Sequence, residues 1–203
     1  MGLKQIFKDV KEEAKVLFGQ GTKDKRYVSH QKFSDKDAAD RAFKKSKAKL
    51  FHVDQWSELP GLASKFELYN HRGERYQTEK PQVGDFIRIL LPLLVPENWV
   101  KVTDIQDHAD AAEFTVHPSR DPQESDNDIE HFFVDEASST FKVELKNNTI
   151  YAYEIGKDEG INNRGEEAGD RELLNTILSE GGWLAFQEMQ WEKLTKYLVH
   201  KPV

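Results

Sequence analysis

The chain has 203 residues, a length that suits one large domain or one domain with an extension. It contains no cysteine, which excludes disulfides, thiolate nucleophiles and cysteine-based metal sites. With 36 acidic and 29 basic residues the net charge is −7, the opposite of the basic surplus expected of a general nucleic-acid binder, so we expect no nucleic-acid partner.

The first segment is predicted to be an amphipathic helix that ends at Gly19. Its apolar positions recur at helical spacing: Leu3, Ile6, Phe7, Val10, Ala14, Leu17 and Phe18. Acidic residues interrupt the lysines on the other side of this helix, which favours packing over binding to a membrane surface. No apolar run in the sequence approaches the roughly 20 residues that span a bilayer, and the N-terminus lacks the apolar core of a signal peptide. We therefore expect a cytoplasmic protein without stable membrane insertion.

Residues 22–203 are predicted to form a single α+β domain behind the N-terminal helix of residues 1–21. The domain begins with a strand at 27–33 and continues with a helix at 34–50. The chain then passes Trp56 before a proline-glycine turn, which delivers this tryptophan beside the first strand of the following sheet.

The helix at 34–50 has a recognisable start and a narrow apolar face. Ser34 followed by Asp37 predicts an N-cap with a favourable acidic first turn. The positions that share one face are Ala39, Ala42, Phe43, Ser46 and Leu50. Most of the remaining surface is lysine and aspartate, which indicates a solvated side.

Short alternating segments follow between residues 62 and 163 and predict an antiparallel sheet of about six to seven strands. They read ASKFELYN, GDFIRILL, NWVKVTDI, AEFTVH, IEHFFV, TFKVELK and TIYAYEI. The last two form the clearest hairpin, because Asn147-Asn148 can accept the positive φ values of a two-residue turn. Pairing across that turn places Phe141 opposite Glu154 on one face, with Tyr151 and Tyr153 on the other.

Residues 168–200 form one long amphipathic stretch that we expect to pack along the sheet. Gly181-Gly182 lies inside it, and each glycine costs about 1 kcal/mol against alanine within a helix. The stretch therefore predicts either one kinked helix or two helices. Residues 90–95 (LLPLLV) are predicted to leave the sheet after a strand, as core packing, as a lip over a cavity or as a dimer contact.

No sequence motif predicts a metal or a cofactor. The seven histidines lack HxH, HxxxH and HExxH spacings, and phosphate loops and a G-x-S-x-G elbow are absent. His117 and His131 could approach each other across a hairpin with Asp121 or Glu130, but ordinary histidines at strand ends are the simpler interpretation.

The most unusual polar cluster is at residues 154–163. Glu154, Asp158 and Glu159 could perform acid–base chemistry if burial raised one pKa, and the alternative is a loop that caps the last helix. Glu154 is the sharper case, because the hairpin register places it on the apolar face, where an ionised carboxylate needs a partner or a function.

The order of strand, helix, Trp56, antiparallel strands and long C-terminal helix resembles the START-like, or SRPBCC, helix-grip superfamily. The resemblance covers roughly residues 27–200 and includes Gly84-Asp85 before a strand. It implies a curved sheet that wraps the last helix, with a cavity for an apolar small molecule between them. The N-terminal helix and Gly181-Gly182 depart from the family pattern. Because the superfamily also contains enzymes, the resemblance does not decide function.

Our leading hypothesis is a non-catalytic protein that binds an apolar or aromatic small molecule between the sheet and the C-terminal helix. The candidate binding residues are Trp56, Phe66, Phe86, Trp99, Phe114, Phe141, Trp183, Phe186 and Trp191, with Glu154 as polar anchor. A second hypothesis is a small-molecule enzyme of the cyclase, hydratase or hydrolase type that uses Glu154, Asp158 or Glu159. A third is a protein-interaction module, in which the basic helix of residues 35–50 or the 90–95 lip contacts a partner or forms a homodimer.

Overall fold

The structure is a computed structural model that describes residues 23–62, 64–90, 98–123, 137–159 and 182–203. Within these ranges the chain forms seven strands and three helices. In chain order they are β1 (Lys23–Lys32), α1 (Lys36–Phe51), α2 (Val53–Trp56), β2 (Lys65–Tyr69), β3 (Phe86–Leu90), β4 (Asn98–Asp107), β5 (Ala111–Ser119), β6 (Ser138–Lys146), β7 (Thr149–Glu159) and α3 (Gly182–Leu198). The predicted N-terminal helix, the IEHFFV strand, the lip beyond Leu90 and residues 168–181 of the predicted amphipathic stretch lie outside the described residues.

The seven strands form one sheet in the order β1-β7-β6-β5-β4-β3-β2, and every neighbouring pair is antiparallel. The predicted antiparallel sheet is therefore confirmed. A register shift between Val102 and Asp104 marks a bulge in β4, which bends a strand locally and increases its twist.

The β6–β7 hairpin has the register predicted from its turn. Lys146 pairs with Thr149 and Phe141 pairs with Glu154. Asn147 has a φ of 58°, a conformation that asparagine tolerates better than most residues. Asn148 fastens the turn to the end of β1, because its side-chain Nδ2 donates to Phe33 O at 2.8 Å and its carbonyl accepts from Phe33 N at 2.8 Å.

Helix α1 is capped by Asp35, and the prediction of Ser34 as the N-cap was wrong. The Asp35 Oδ1 atom accepts a hydrogen bond from Ala38 N at 2.7 Å, while Ser34 Oγ donates to Asp35 Oδ2 at 2.7 Å. The bond from Ala38 and the bond from Ser34 lower the pKa of the Asp35 carboxyl. Both residues are good cap formers, and the one that reaches the backbone N–H of the first turn takes the role. The predicted apolar face is confirmed, since Ala39, Phe43, Ser46 and Leu50 are buried and Ala42 is half-buried.

Helix α3 packs against one face of the sheet at β1 and β7. Its Leu194 and Leu198 are fully buried, as is Val199 directly after the helix. Ser29 of β1 and Thr195 of α3 join the two layers through a buried hydroxyl pair at 3.0 Å. The described part of the chain contains no helix with the length and apolar character needed to cross a bilayer.

Candidate functional site

Five aromatic rings meet between the sheet and α3, and we call them the interior aromatic cluster: Trp56, Phe66, Phe114, Phe141 and Trp191. The Trp56 ring centroid lies 5.0 Å from Phe141, 5.5 Å from Phe66 and 5.9 Å from Phe114. Trp191 of α3 closes the group at 5.5 Å from Phe141 and 6.4 Å from Phe66. The Trp56–Phe114 pair is stacked and the others are tilted or edge-to-face, and such pairs are each worth about 0.5–1.5 kcal/mol beyond the burial of their area.

The strand register explains why these rings converge. Phe114 of β5 pairs with Phe141 of β6, which pairs with Glu154 of β7, which in turn pairs with Tyr27 of β1. Because directly opposed residues point to the same face, these four side chains form one row across the sheet. Trp56 reaches the row from α2, and its Nε1 donates to Lys49 O at 2.9 Å.

Three polar side chains carry buried atoms at this face of the sheet. Glu154 is 0% exposed and Gln190 is 2% exposed. The Gln190 Oε1 atom accepts a hydrogen bond from Ser64 N at 3.4 Å. Its Nε2 and the Nε1 of Trp191 are buried, and no acceptor among the described residues lies within hydrogen-bonding distance of either nitrogen. The site therefore presents two buried N–H donors from consecutive residues of α3, of which Trp191 belongs to the interior aromatic cluster.

Six of the ten predicted binding residues come together at this site. They are Trp56, Phe66, Phe114, Phe141, Glu154 and Trp191. The side chains of Trp183 and Phe186 lie outside the described part of the chain, although their backbone belongs to α3.

Phe86 and Trp99 belong to the opposite face of the sheet. They form a separate buried cluster with Tyr69, whose ring centroid is 4.8 Å from Trp99. The register sets Phe86 opposite Tyr69 and Trp99 opposite Arg88, whereas Phe66 is opposite Ile89. Phe86 and Trp99 therefore cannot line a space shared with the interior aromatic cluster.

The predicted acid–base residues lie in different environments. Glu154 is fully buried, whereas Asp158 is exposed and has a φ of 50°. The side chain of Glu159 lies outside the described residues. The described carboxylates of this strand thus do not form a pair that could share acid and base roles.

Of the two histidines that were predicted to approach each other, the structure describes one, His117. Thr103 Oγ1 lies 3.0 Å from His117 Nδ1, while His131 falls outside the described ranges. In the part of the chain that the structure describes, no group of three metal-ligating side chains comes together.

Gln190 is the site residue that the sequence interpretation missed. It precedes Leu194 and Leu198 at intervals of four residues, and both leucines are fully buried. Because positions four apart share a helix face, the spacing alone placed Gln190 on the interior side. Because Gln190 is polar, a pattern built on apolar residues does not include it.

No family model matches the chain, and no curated protein matches it. Among solved structures, a hypothetical protein from Helicobacter pylori is similar over 91% of this chain and 92% of its own, with a TM-score of 0.55 and 11% identity. Norcoclaurine synthase from Thalictrum flavum has a TM-score of 0.44 and 12% identity over 89% of both chains. Major latex-like protein 151 from Panax ginseng has a TM-score of 0.40 and 8% identity over 77% of this chain and 93% of its own.

The likeness to the Helicobacter protein concerns the fold alone. The chain shares with the Helicobacter protein an α+β fold, which here is an open antiparallel sheet that packs on a C-terminal helix. Sequence identity of 11% carries no function from one protein to the other.

Proposed function

We propose that this protein is a START-like, non-catalytic binder of an apolar or aromatic small molecule that carries a hydrogen-bond acceptor. The ligand lies between the sheet and α3, against the interior aromatic cluster. The observation that carries the proposal is the pair of buried donors, Gln190 Nε2 and Trp191 Nε1, which find no acceptor among the described residues.

The two donors give an energetic reason for a ligand. A buried N–H without an acceptor costs about 1–3 kcal/mol, so two neighbouring donors are expensive in a folded protein. A ligand oxygen that accepts from them removes this cost, and the aromatic rings supply the apolar contact area typical of small-molecule sites. Glu154 adds a carboxylate on the same face, where it can orient a polar group of the ligand.

Binding is better supported than catalysis. The candidate acid–base partners Glu154 and Asp158 are divided between the interior and the surface. A single buried carboxylate among aromatic rings suits recognition of a ligand more readily than proton transfer in two directions.

The test uses two probes that differ by one oxygen, 2-naphthol and naphthalene. The hydroxyl oxygen of 2-naphthol can accept from Trp191 Nε1, whereas naphthalene offers only apolar surface. We expect the protein to bind 2-naphthol more tightly, and Trp191→Phe to reduce that preference by about 3- to 10-fold, since one hydrogen bond contributes about 0.5–1.5 kcal/mol. Isothermal titration calorimetry measures both affinities.

The matched control is Trp99→Phe, which makes the same substitution in the cluster on the opposite face. It should leave both affinities unchanged. Equal effects of the two substitutions, or no binding of either probe by the wild-type protein, would contradict the proposal. A native mass spectrum of the purified protein provides an independent measurement, because a copurified apolar compound adds a discrete mass.

A further inference from the structure

The turn after α3 is fastened to α1 by His200 and two side chains of α1, which we call the His200 clasp. Lys49 Nζ donates to His200 Nδ1 at 3.0 Å and to Tyr197 O at 2.8 Å. Ser46 Oγ donates to Leu198 O at 2.7 Å and lies 3.0 Å from His200 Nε2. The same nitrogen is 3.0 Å from Ala42 O.

The partners fix the protonation state of the ring. A lysine ammonium group can only donate, so His200 Nδ1 accepts the bond from Lys49 and carries no hydrogen. The carbonyl of Ala42 can only accept, so Nε2 carries the hydrogen. The clasp therefore requires a neutral imidazole in a single tautomer.

The charged groups around His200 are cationic. From α1, Lys49 touches the ring, while Lys45 and Arg41 line a surface depression of about 370 Å³ that His200 also lines. Phe33, just after β1, contributes an uncharged ring at 6.4 Å, and the next charge along the tail is Lys201. Burial lowers the pKa of His200, and Lys49 and Lys45 lower it further against the opposing bond to Ala42.

We propose that the His200 clasp is an acid-sensitive latch, in which protonation of His200 releases the C-terminal end of α3 from α1. A proton on Nδ1 removes the acceptor for Lys49 and sets two cations 3.0 Å apart. The carbonyls of Tyr197 and Leu198 then lose the donors that hold the helix end. The latch goes beyond the proposed ligand binding, although α3 also carries the donors of that site.

The direction of the pH effect follows from linkage. Because the pKa of His200 is lower in the folded protein than its ordinary value of 6.5, the unfolded or released chain binds the proton more readily. The stabilisation that the clasp provides is therefore complete above about pH 6.5 and is lost as the pH falls toward the folded-state pKa.

Hydrogen exchange with mass spectrometry tests the latch at about pH 7.5 and about pH 5.5, after correction for intrinsic exchange rates. In the wild type, exchange in residues 189–203 should accelerate on acidification several-fold more than exchange in the β6–β7 hairpin. His200→Asn should abolish this difference between the two pH values. Asparagine suits the φ of 65° at this position and offers Lys49 an acceptor that does not titrate.

The matched control is His71→Asn at an exposed histidine far along the chain from the clasp, and it should behave as the wild type. Equal acceleration of tail and hairpin in the wild type, or an unchanged response in His200→Asn, would overturn the latch. If the variant does not fold, NMR titration of His200 in the wild-type protein tests the latch instead. A neutral Nε2–H tautomer with a midpoint below 6.5 supports the latch, and any other tautomer or a higher midpoint overturns it.

Discussion

Several polar side chains of this protein occupy buried positions among its apolar core residues. Ser29 and Ser46 are buried serines whose hydroxyls connect separate elements, to Thr195 and to the end of α3 respectively. Gln190 and Trp191 are consecutive residues of α3, and each carries a buried donor. Each of these atoms needs a partner once buried, so each limits what can pack against it.

The hydroxyl pair between Ser29 and Thr195 allows a prediction at a single contact. Thr195 Oγ1 donates to Glu192 O at 3.1 Å, so the hydrogen between the two hydroxyls comes from Ser29. Ser29→Ala should reduce the free energy of unfolding by about 0.5–1.5 kcal/mol, because it removes one buried hydrogen bond. Urea denaturation monitored by circular dichroism measures the loss.

The control for this contact is the double variant Ser29→Ala with Thr195→Val. If the hydroxyls stabilise the protein mainly through each other, Thr195→Val should cost less in the Ser29→Ala background than alone. Additive effects of the two substitutions would show that the contact contributes no coupling energy.

At the scale of elements, the register of a strand could be predicted where only one of its faces is buried. In β6 and β7 the turn at Asn147 and the alternation agreed, so the pairing of Phe141 with Glu154 was predicted and is confirmed. In β3 and β4 adjacent residues are buried on both faces, as at Phe86 and Ile87. In such strands the alternation of apolar and polar residues no longer shows which face of the sheet packs against α3. Phe86 and Trp99 were therefore predicted to line the binding site, although they lie on the opposite face.

The polar part of the site was harder to predict than its rings. Trp56 and Phe141 are recognisable in the sequence as large apolar residues, whereas Gln190 is recognisable only by its spacing from buried leucines. His200, outside the site, acquires its role through contacts with distant segments. His200 meets Ala42 and Lys49, about 150 residues earlier in the chain, and no local pattern encodes such a meeting. Long-range polar contacts therefore mark the limit of what this sequence reveals.

The β6–β7 turn provides the test at this scale. Asn147 has a φ of 58°, where a residue with an unfavourable Cβ contact costs about 1–2 kcal/mol. Asn147→Ala should therefore lower the free energy of unfolding by about 1 kcal/mol, while Asn147→Gly should remain within about 0.5 kcal/mol of the wild type. Thermal unfolding distinguishes them, and equal destabilisation by alanine and glycine would contradict the strain argument.

At the scale of the whole molecule, an open sheet has edge strands that can pair with a second copy of the chain. The order of strands leaves β1 and β2 as the outermost strands among the described residues. β1 is ten residues long, and a long exposed edge can pair with a second chain. Basic residues recur along it, among them Arg26 and Lys32, and like charges oppose the pairing of two such edges.

This charge pattern predicts that the protein does not associate through β1. Replacing Arg26 and Lys32 together with threonine removes two charges and raises strand propensity, so this variant should self-associate as its concentration rises. Size-exclusion chromatography with light scattering measures the mass of each species. The control replaces Arg41 and Lys44 of α1 in the same way, which changes the net charge equally and leaves the β1 edge intact. If both variants associate to the same extent, the cause is the overall charge and not the edge strand.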